Sequence, residues 1–251
     1  MKIIGVIPAR YNSTRFPGKP LADICGKPMI WWVYNQAKQV TEFTDVYVAT
    51  DEQRIKDACV DLKIPVIMTR TDHKTSTERV YEAACNIEAD LYVVINGDEP
   101  LIDPQIIKAV IPEELPNHKI YVGNLMTEIC DPVEVVDFTN IKVVTDDDSK
   151  ALFFSRSPIP YPKSSMQYKY YKHVGVLAYN LAALQFFAET QVGINEAIED
   201  INELRFVEHG VAVRMTKVNA HSLSVDTPKD LEKIREMIGK KLALGESNEQ
   251  N

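Results

Sequence analysis

Three basic residues, Arg10, Arg15 and Lys19, stand within ten positions of one another, directly after the apolar run Ile3-Ile4-Gly5-Val6-Ile7. Guanidinium and ammonium groups gathered in one polar loop after a strand make a site for a polyanion, and a nucleoside triphosphate suits it. Between residues 1 and 27 the chain carries five basic side chains and one acid, Asp23, although its formal net charge is −8. A βα loop can be polar merely because it is exposed, and Pro17-Gly18 is ordinary turn chemistry. Exposure accounts for the bend; it does not account for charges of a single sign.

Asn96-Gly97-Asp98-Glu99-Pro100 follows a second apolar run. Ligands of open parallel sheets sit beyond the carboxyl ends of the strands, which puts Asp98 on the same edge as Arg10 and Lys19. A carboxylate beside bound phosphates suits Mg²⁺, which takes hard oxygen ligands and keeps several waters. The same residues form turns readily, but the cations at that edge favour the metal. Asp226, in Ser224-Val225-Asp226-Thr227-Pro228, is the second candidate. Asp226 or Thr227 could equally cap a helix starting near Pro228, and the two uses are compatible if Thr227 caps. His73-Lys74-Thr75-Ser76-Thr77-Glu78-Arg79 opens another helix. Its hydroxyls and amides suit a base or a phosphate, and capping alone explains them as well.

These residues need a scaffold. Short apolar runs at 3–7, 46–50, 66–69 and 91–95 alternate with helical periodicity over 29–40, 52–61 and 77–87, as in a parallel sheet with crossover helices. The runs do not alternate apolar with polar, as expected of strands covered on both faces. Beyond Pro104 the pattern changes to strands at 121–126, 141–145, 151–155 and 173–179, with a hairpin turn at Asp146-Asp147-Asp148-Ser149. Helices at 181–189 and 195–209, a strand at 211–216 and a helix at 228–241 follow, and residues 245–251 read as a frayed polar tail. The expectation is one α/β domain, with an antiparallel region at about 120–180.

Composition narrows the classes. Of 251 residues, 45% are hydrophobic and 25% charged, as in an ordinary globular protein. The acidic balance argues against a nucleic-acid partner. The four cysteines lie far apart with no CxxC pair, which suggests neither a zinc site nor a disulfide framework. The opening run is too short for a signal peptide, and no run approaches membrane-span length, so no membrane partner and a cytoplasmic location are expected.

Several motifs stand in one order: Ile7-Pro8-Ala9-Arg10, Arg15-Phe16-Pro17-Gly18-Lys19-Pro20-Leu21, Gly26-Lys27-Pro28-Met29-Ile30, Ala49-Thr50-Asp51, Gly97-Asp98-Glu99-Pro100, Phe154-Ser155-Arg156-Ser157-Pro158-Ile159-Pro160, Lys172-His173-Val174-Gly175 and Val225-Asp226-Thr227-Pro228. The chain thereby resembles the 3-deoxy-manno-octulosonate (Kdo) cytidylyltransferases, the CMP-Kdo synthetases, from Ile3 to about Met237. The resemblance implies a Rossmann-like nucleotidyltransferase fold with a mostly parallel central sheet flanked by helices and a small antiparallel dimerisation insertion. It implies that Arg10 and Lys19 hold the CTP triphosphate and act in catalysis with Asp98, and that Asp98 and Asp226 hold Mg²⁺. Pro8, Ala9, Ser13, Thr75, Ser76, Thr77, Arg79, Asn96 and Gly97 would complete the nucleotide pocket. Arg15, Arg156, His173, Leu177, Asn202 and Glu203 would surround the carboxylated acceptor, with residues 154–160 contributing to a homodimer.

This chain departs from the family pattern at Ser76, where the family has Gly, at Asn96 for Gln, at Leu177 for Tyr, and at Asn202-Glu203 for Glu-Gln. The last three departures fall on the sugar side of the implied site. The implied reaction is attack of an acceptor hydroxyl on the α-phosphorus of CTP, giving a CMP-sugar and pyrophosphate for lipopolysaccharide or capsule synthesis. An amino-substituted Kdo, another capsular acid or a different carboxylated acceptor are the alternatives. A glycosyltransferase-like enzyme and a silent nucleotide-binding regulator are rivals from other classes.

Overall fold

The computed structural model describes residues 1–12, 16–116, 119–165, 167–220 and 223–243. Ser13, Arg15 and the tail at 245–251 lie outside the described residues. In chain order the elements are β1 (Ile3–Ala9), a helical turn at Lys19–Leu21, β2 (Asp23–Ile24), β3 (Lys27–Pro28), α1 (Met29–Lys38), β4 (Asp45–Thr50), α2 (Gln53–Asp61), β5 (Val66–Met68), α3 (Ser76–Ala84) and β6 (Leu91–Ile95). There follow α4 (Pro104–Lys108), β7 (Val122–Glu128), α5 (Pro132–Val136), β8 (Lys142–Thr145), β9 (Ala151–Ser155), β10 (Tyr171–Tyr179), α6 (Leu181–Glu189), α7 (Ile194–Glu199), α8 (Glu203–Glu208), β11 (Val213–Val218) and α9 (Pro228–Ala243).

Among the described residues, nine strands form one sheet with the order β11-β7-β10-β6-β1-β4-β5, and β8 and β9 branch from β10. β1 pairs in parallel with β4 and β6, so the carboxyl ends of β1 and β6 open on one edge. β10 runs antiparallel between β6 and β7. The two faces of β1 serve two cores, because successive side chains of a strand point opposite ways. Ile3 and Ile7 pack with Ile30, Val33 and Ala37 of α1, while Ile4 and Val6 pack with Val80 and Ala83 of α3. A third cluster joins Ile24 and Met29 to Leu231, Ile234 and Ile238 of α9, and includes Val225. That cluster fixes the residue next to Asp226.

The helix expected over 195–209 is two helices. α7 ends at Asp200, in the left-handed conformation at φ 53°, which a short polar side chain tolerates. Arg156 sets the break: its Nε donates to Glu199 O at 2.6 Å and its Nη2 to Asp200 O at 3.0 Å, taking carbonyls that a continuing helix would use. The short helices α4 and α5 were not expected, although both begin with an aspartate cap and a proline, Asp103-Pro104 and Asp131-Pro132. β11 starts two residues later than its expected start at residue 211. At the Asp146–Ser149 turn, Asp146 N donates to Lys150 O at 2.9 Å, and Ser149 takes φ 59°.

Candidate active site

At the shared edge of β1 and β6, one side chain gathers three segments. Gly18, at φ 73°, takes a left-handed conformation that glycine adopts without strain, and its N–H donates to Tyr11 O at 2.8 Å. The turn at Gly18 delivers Lys19, whose Nζ donates to Asp98 Oδ2 at 2.9 Å and to Val225 O at 2.9 Å. Asp226 Oδ1 lies 3.9 Å from the same nitrogen. Val225 N donates to Asp98 O at 2.9 Å, which pins the segment before α9 to the loop after β6. Thr227 caps α9 through Asp230 N, and Asp230 in turn accepts from Thr227 N at 2.9 Å. Capping is therefore done by Thr227, and the Asp226 carboxylate is placed beside Lys19.

Lys19 and Asp98 line a cleft of about 360 Å³. Arg10, Pro8 and Ala9 at the end of β1 line it, as do Asn96 and Gly97 after β6. A second wall is the start of α3. Thr75 caps that helix, accepting from Glu78 N at 3.2 Å while Glu78 Oε2 accepts from Thr75 N at 3.1 Å, a reciprocal capping box. Thr75, Ser76 and Thr77 also face the cleft, so capping and lining coincide here. Arg79 lies at the same wall but is 4% exposed, and its Nη2 donates to Asp51 Oδ2 at 2.9 Å. Its charge is thus already paired.

The third wall comes from β10 and the break between α7 and α8. His173, Leu177 and Tyr179 share one face of β10 and line the cleft. The register of β10 against β7 shifts between Val174 and Leu177, and Asn124 Nδ2 donates to Val174 O at 3.0 Å and Val176 O at 2.9 Å across the irregularity. Asn96 N donates to Gly175 O at 2.9 Å. A Cβ at Gly175 would stand 2.5 Å from Asn96 Nδ2 and 2.8 Å from Glu99 Oε1, so this close approach requires glycine. His173 is neutral: burial and then the charge of Arg156 hold its pKa down at about 4, with Asp98 pulling the other way. Its Nδ1 is buried without a hydrogen-bond partner.

Asn202 and Glu203 open α8 in the same wall, and Asn202 Nδ2 donates to Thr77 Oγ1 at 3.3 Å, tying this wall to α3. Glu203 is 7% exposed, and burial pushes its pKa up to about 7, with the Glu196 charge adding to the rise and its own backbone amide opposing it. Arg156 does not line the cleft. Its guanidinium donates to the carbonyls of Phe138, Glu199 and Asp200, so it shapes this wall from behind. His73, Lys74, Tyr179 and Asp200 line the cleft and were not among the expected site residues. His73 and Lys74 stand in the motif that opens α3, and Tyr179 follows Leu177 by two on one strand face, a spacing that signals a shared wall.

The sequence matches the family described as cytidylyltransferase over residues 4–249. The chain belongs to that family. This cytidylyltransferase is 40% identical over 242 residues to the 3-deoxy-manno-octulosonate cytidylyltransferase of Escherichia coli, covering 96% of the chain and 98% of the relative. It is also 40% identical over 243 residues to the 8-amino-3,8-dideoxy-manno-octulosonate cytidylyltransferase of Shewanella sp. (strain ANA-3), covering 95% and 99%. Its structure superposes with a TM-score of 0.90 on CMP:2-keto-3-deoxy-manno-octonic acid synthetase complexed with CTP, at 39% identity over 96% of this chain and 100% of that one. The 4-diphosphocytidyl-2C-methyl-D-erythritol synthase from Anaerococcus prevotii shares the fold, with a TM-score of 0.62 at 14% identity. The mostly parallel sheet flanked by helices, implied by the resemblance, is the fold observed.

Proposed function

We propose that this chain transfers the cytidylyl group of CTP to a hydroxyl of a 3-deoxy-manno-octulosonate-type sugar acid, releasing pyrophosphate. The junction at Lys19 carries the reading: one ammonium stands among two carboxylates at the edge where β1 and β6 end. The names of the relatives support the two substrates. Arg10 and Lys19 would hold the triphosphate. As the acceptor hydroxyl gives up its proton to solvent and its oxygen bonds to the α-phosphorus, the bond to the oxygen bridging to the β-phosphate breaks and charge moves onto pyrophosphate. Fixed cations at that place stabilise it more than they stabilise the ground state.

Asp98 and Asp226 fit a divalent cation, because both carboxylates already lie within 4 Å of one positive charge. Among the described residues, no group of three or more His, Cys, Asp or Glu forms a protein-only cage. Two hard carboxylates completed by phosphate and water is the arrangement Mg²⁺ prefers. When bound there, Mg²⁺ supplies neutralisation of the phosphates and orientation of the leaving group. His173, Leu177, Asn202 and Glu203 would then face the sugar acid from the wall formed by β10 and the start of α8.

A homodimer belongs to the same proposal. Val133, Val136, Phe138, Leu152 and Ile198 are each more than half exposed, and Arg156 bonds the carbonyl of Phe138 while also clasping α7. Such apolar exposure suits a second copy, and light scattering should give twice 28.4 kDa. Among the described residues no helix is long and apolar enough to cross a membrane. The decisive assay is pyrophosphate release from CTP, ATP, GTP and UTP over a panel of sugar acids with Mg²⁺. Release confined to CTP with an octulosonate-type acid is expected; none with CTP and any such acid overturns the proposal.

A further inference from the structure

The two acceptor names among the relatives come with nearly equal identity, 40–41% and 40%, so overall similarity does not choose between a neutral and an aminated acid. One side chain does. Glu203 lies in the cleft wall at 7% exposure. Its neighbours are the Tyr179 hydroxyl and Asn202, whose amide is turned onto Thr77. Among the described residues no lysine, arginine or histidine pairs with it; the one internal group that favours its ionised form is its own backbone amide. The nearby acid Glu196 is committed to Arg205, with Glu196 Oε1 2.6 Å from Arg205 Nη2, and offers Glu203 nothing but repulsion. A buried carboxylate without a cation is costly, and proteins keep one where a ligand supplies the missing charge.

We propose that Glu203 is a specificity residue that receives a primary ammonium carried by the sugar acid, so that this enzyme prefers an aminated octulosonate-type acceptor to the parent hydroxy acid. The inference rests on the function proposed above. A hydroxyl in the same place leaves the carboxylate uncompensated or requires it to be protonated first. An ammonium forms a charge-assisted hydrogen bond and ends the burial penalty. Leu177 and Asn96, on the same cleft, add no charge that would compete for the amine.

The test is pyrophosphate release by the full chain with CTP, Mg²⁺ and either 3-deoxy-manno-octulosonate, its 8-amino-3,8-dideoxy counterpart, or that counterpart N-acetylated. The wild-type protein is expected to favour the free amine over both other acids by at least roughly tenfold in kcat/KM. Glu203→Gln is expected to lower the preference for the amine over the hydroxy acid by at least about tenfold, chiefly through the KM of the aminated acid. The acetylated acid removes the charge without altering the protein, so the idea stays testable if Glu203→Gln folds poorly. Equal use of the amine and the hydroxy acid, or a loss in Glu203→Gln that is the same for both, overturns the assignment of Glu203 and leaves the cytidylyl-transfer proposal standing. No release with any of the three acids overturns both.

Discussion

The Lys19 ammonium lies 2.9 Å from Asp98 Oδ2, joining the loop after β1 to the loop after β6 across 79 positions of chain. The same nitrogen reaches Val225 O at 2.9 Å, so three distant segments depend on one cation for their mutual placement. Both partners are only partly buried, at 16% and 25% side-chain exposure, and a pair of this kind contributes about 1 kcal/mol to stability. Its geometry is worth more to chemistry than to folding.

Asp98→Asn tests that division. The substitution should lower kcat by roughly 100-fold or more while the melting temperature changes by no more than about 4 °C. Pyrophosphate release at saturating CTP and Mg²⁺, with calorimetry on the same sample, reads both. Near-normal turnover would remove Asp98 from the metal and phosphate site.

Lys19 also stands where a divalent cation would bind, so without nucleotide the two compete for the same carboxylates. Lys19→Met should therefore tighten Mn²⁺ binding to the nucleotide-free protein by roughly tenfold and still lose at least about 100-fold in kcat. Titration followed by the electron paramagnetic resonance of free Mn²⁺ measures the first effect. Unchanged affinity would show that Asp98 and Asp226 do not share a cation at this point.

Glu203 gives a pH signature in stability. Its folded pKa, about 7, is above its ordinary value of 4.5, so between these limits the folded state holds a proton that the unfolded chain has lost. Stability from this group is then greatest below about pH 4.5, falls as pH rises, and levels off above about pH 7. Glu203→Gln removes the loss, and its gain over wild type at pH 8 should reach at most about 3 kcal/mol, or roughly 6–12 °C. His173, with its pKa held at about 4, works in the opposite direction below pH 6.5, which flattens the wild-type curve and makes the difference between the two proteins the quantity to plot. A melting-temperature difference that does not grow from pH 4.5 to 7 would contradict the burial of this carboxyl.

Gly175→Ala places a methyl 2.5 Å from Asn96 Nδ2, and either Asn96 or β10 has to shift. A destabilisation of about 1–3 kcal/mol in urea unfolding is expected, with a raised KM for substrate because Asn96 lines the cleft. Wild-type stability and KM would show that the contact relaxes freely.

The break in front of Glu203 is held by a buried pair, Arg205 with Glu196, in which Arg205 Nε reaches Glu196 Oε2 at 2.7 Å over the ring of Phe187. Arg205→Met leaves Glu196 buried and unpaired and should cost about 3–5 kcal/mol. Adding Glu196→Leu should recover much of that loss, and urea titrations of the single and double variants decide it.

The edge of the sheet that holds Lys19 and Asp98 was readable because two apolar runs stop at Ile7 and Ile95 and turn-forming, polar motifs follow. Parallel pairing then brings both stops to one side. Local signals of that kind travel well from sequence to structure. The break at Asp200 was not readable, since its cause is Arg156, a residue more than forty positions away whose donors happen to meet the carbonyls of α7. Arg156 and Arg79 were both expected at ligands. Sequence shows a guanidinium but not whether internal carbonyls or Asp51 have already taken its donors. Glu203 stood out in the chain as a departure from the family pattern, but its burial and lack of a cation came only from the folded wall.

The position of β10, inserted between β6 and β7, also governs the order in which the protein can become competent during synthesis. The cationic loop leaves the ribosome first, yet the strand that carries His173 and closes the middle of the sheet emerges after two-thirds of the chain, and Asp226 later still. Until then β6 and β7 lack the strand that lies between them, and long-range pairing of this kind forms slowly. A nascent chain therefore exposes the unpaired edges of β6 and then of β7 until β10 is made, and although the residues at the ends of β1 and β6 are synthesised early, the cleft wall carried by β10 and α8 and the Asp226 carboxylate arrive only near the end.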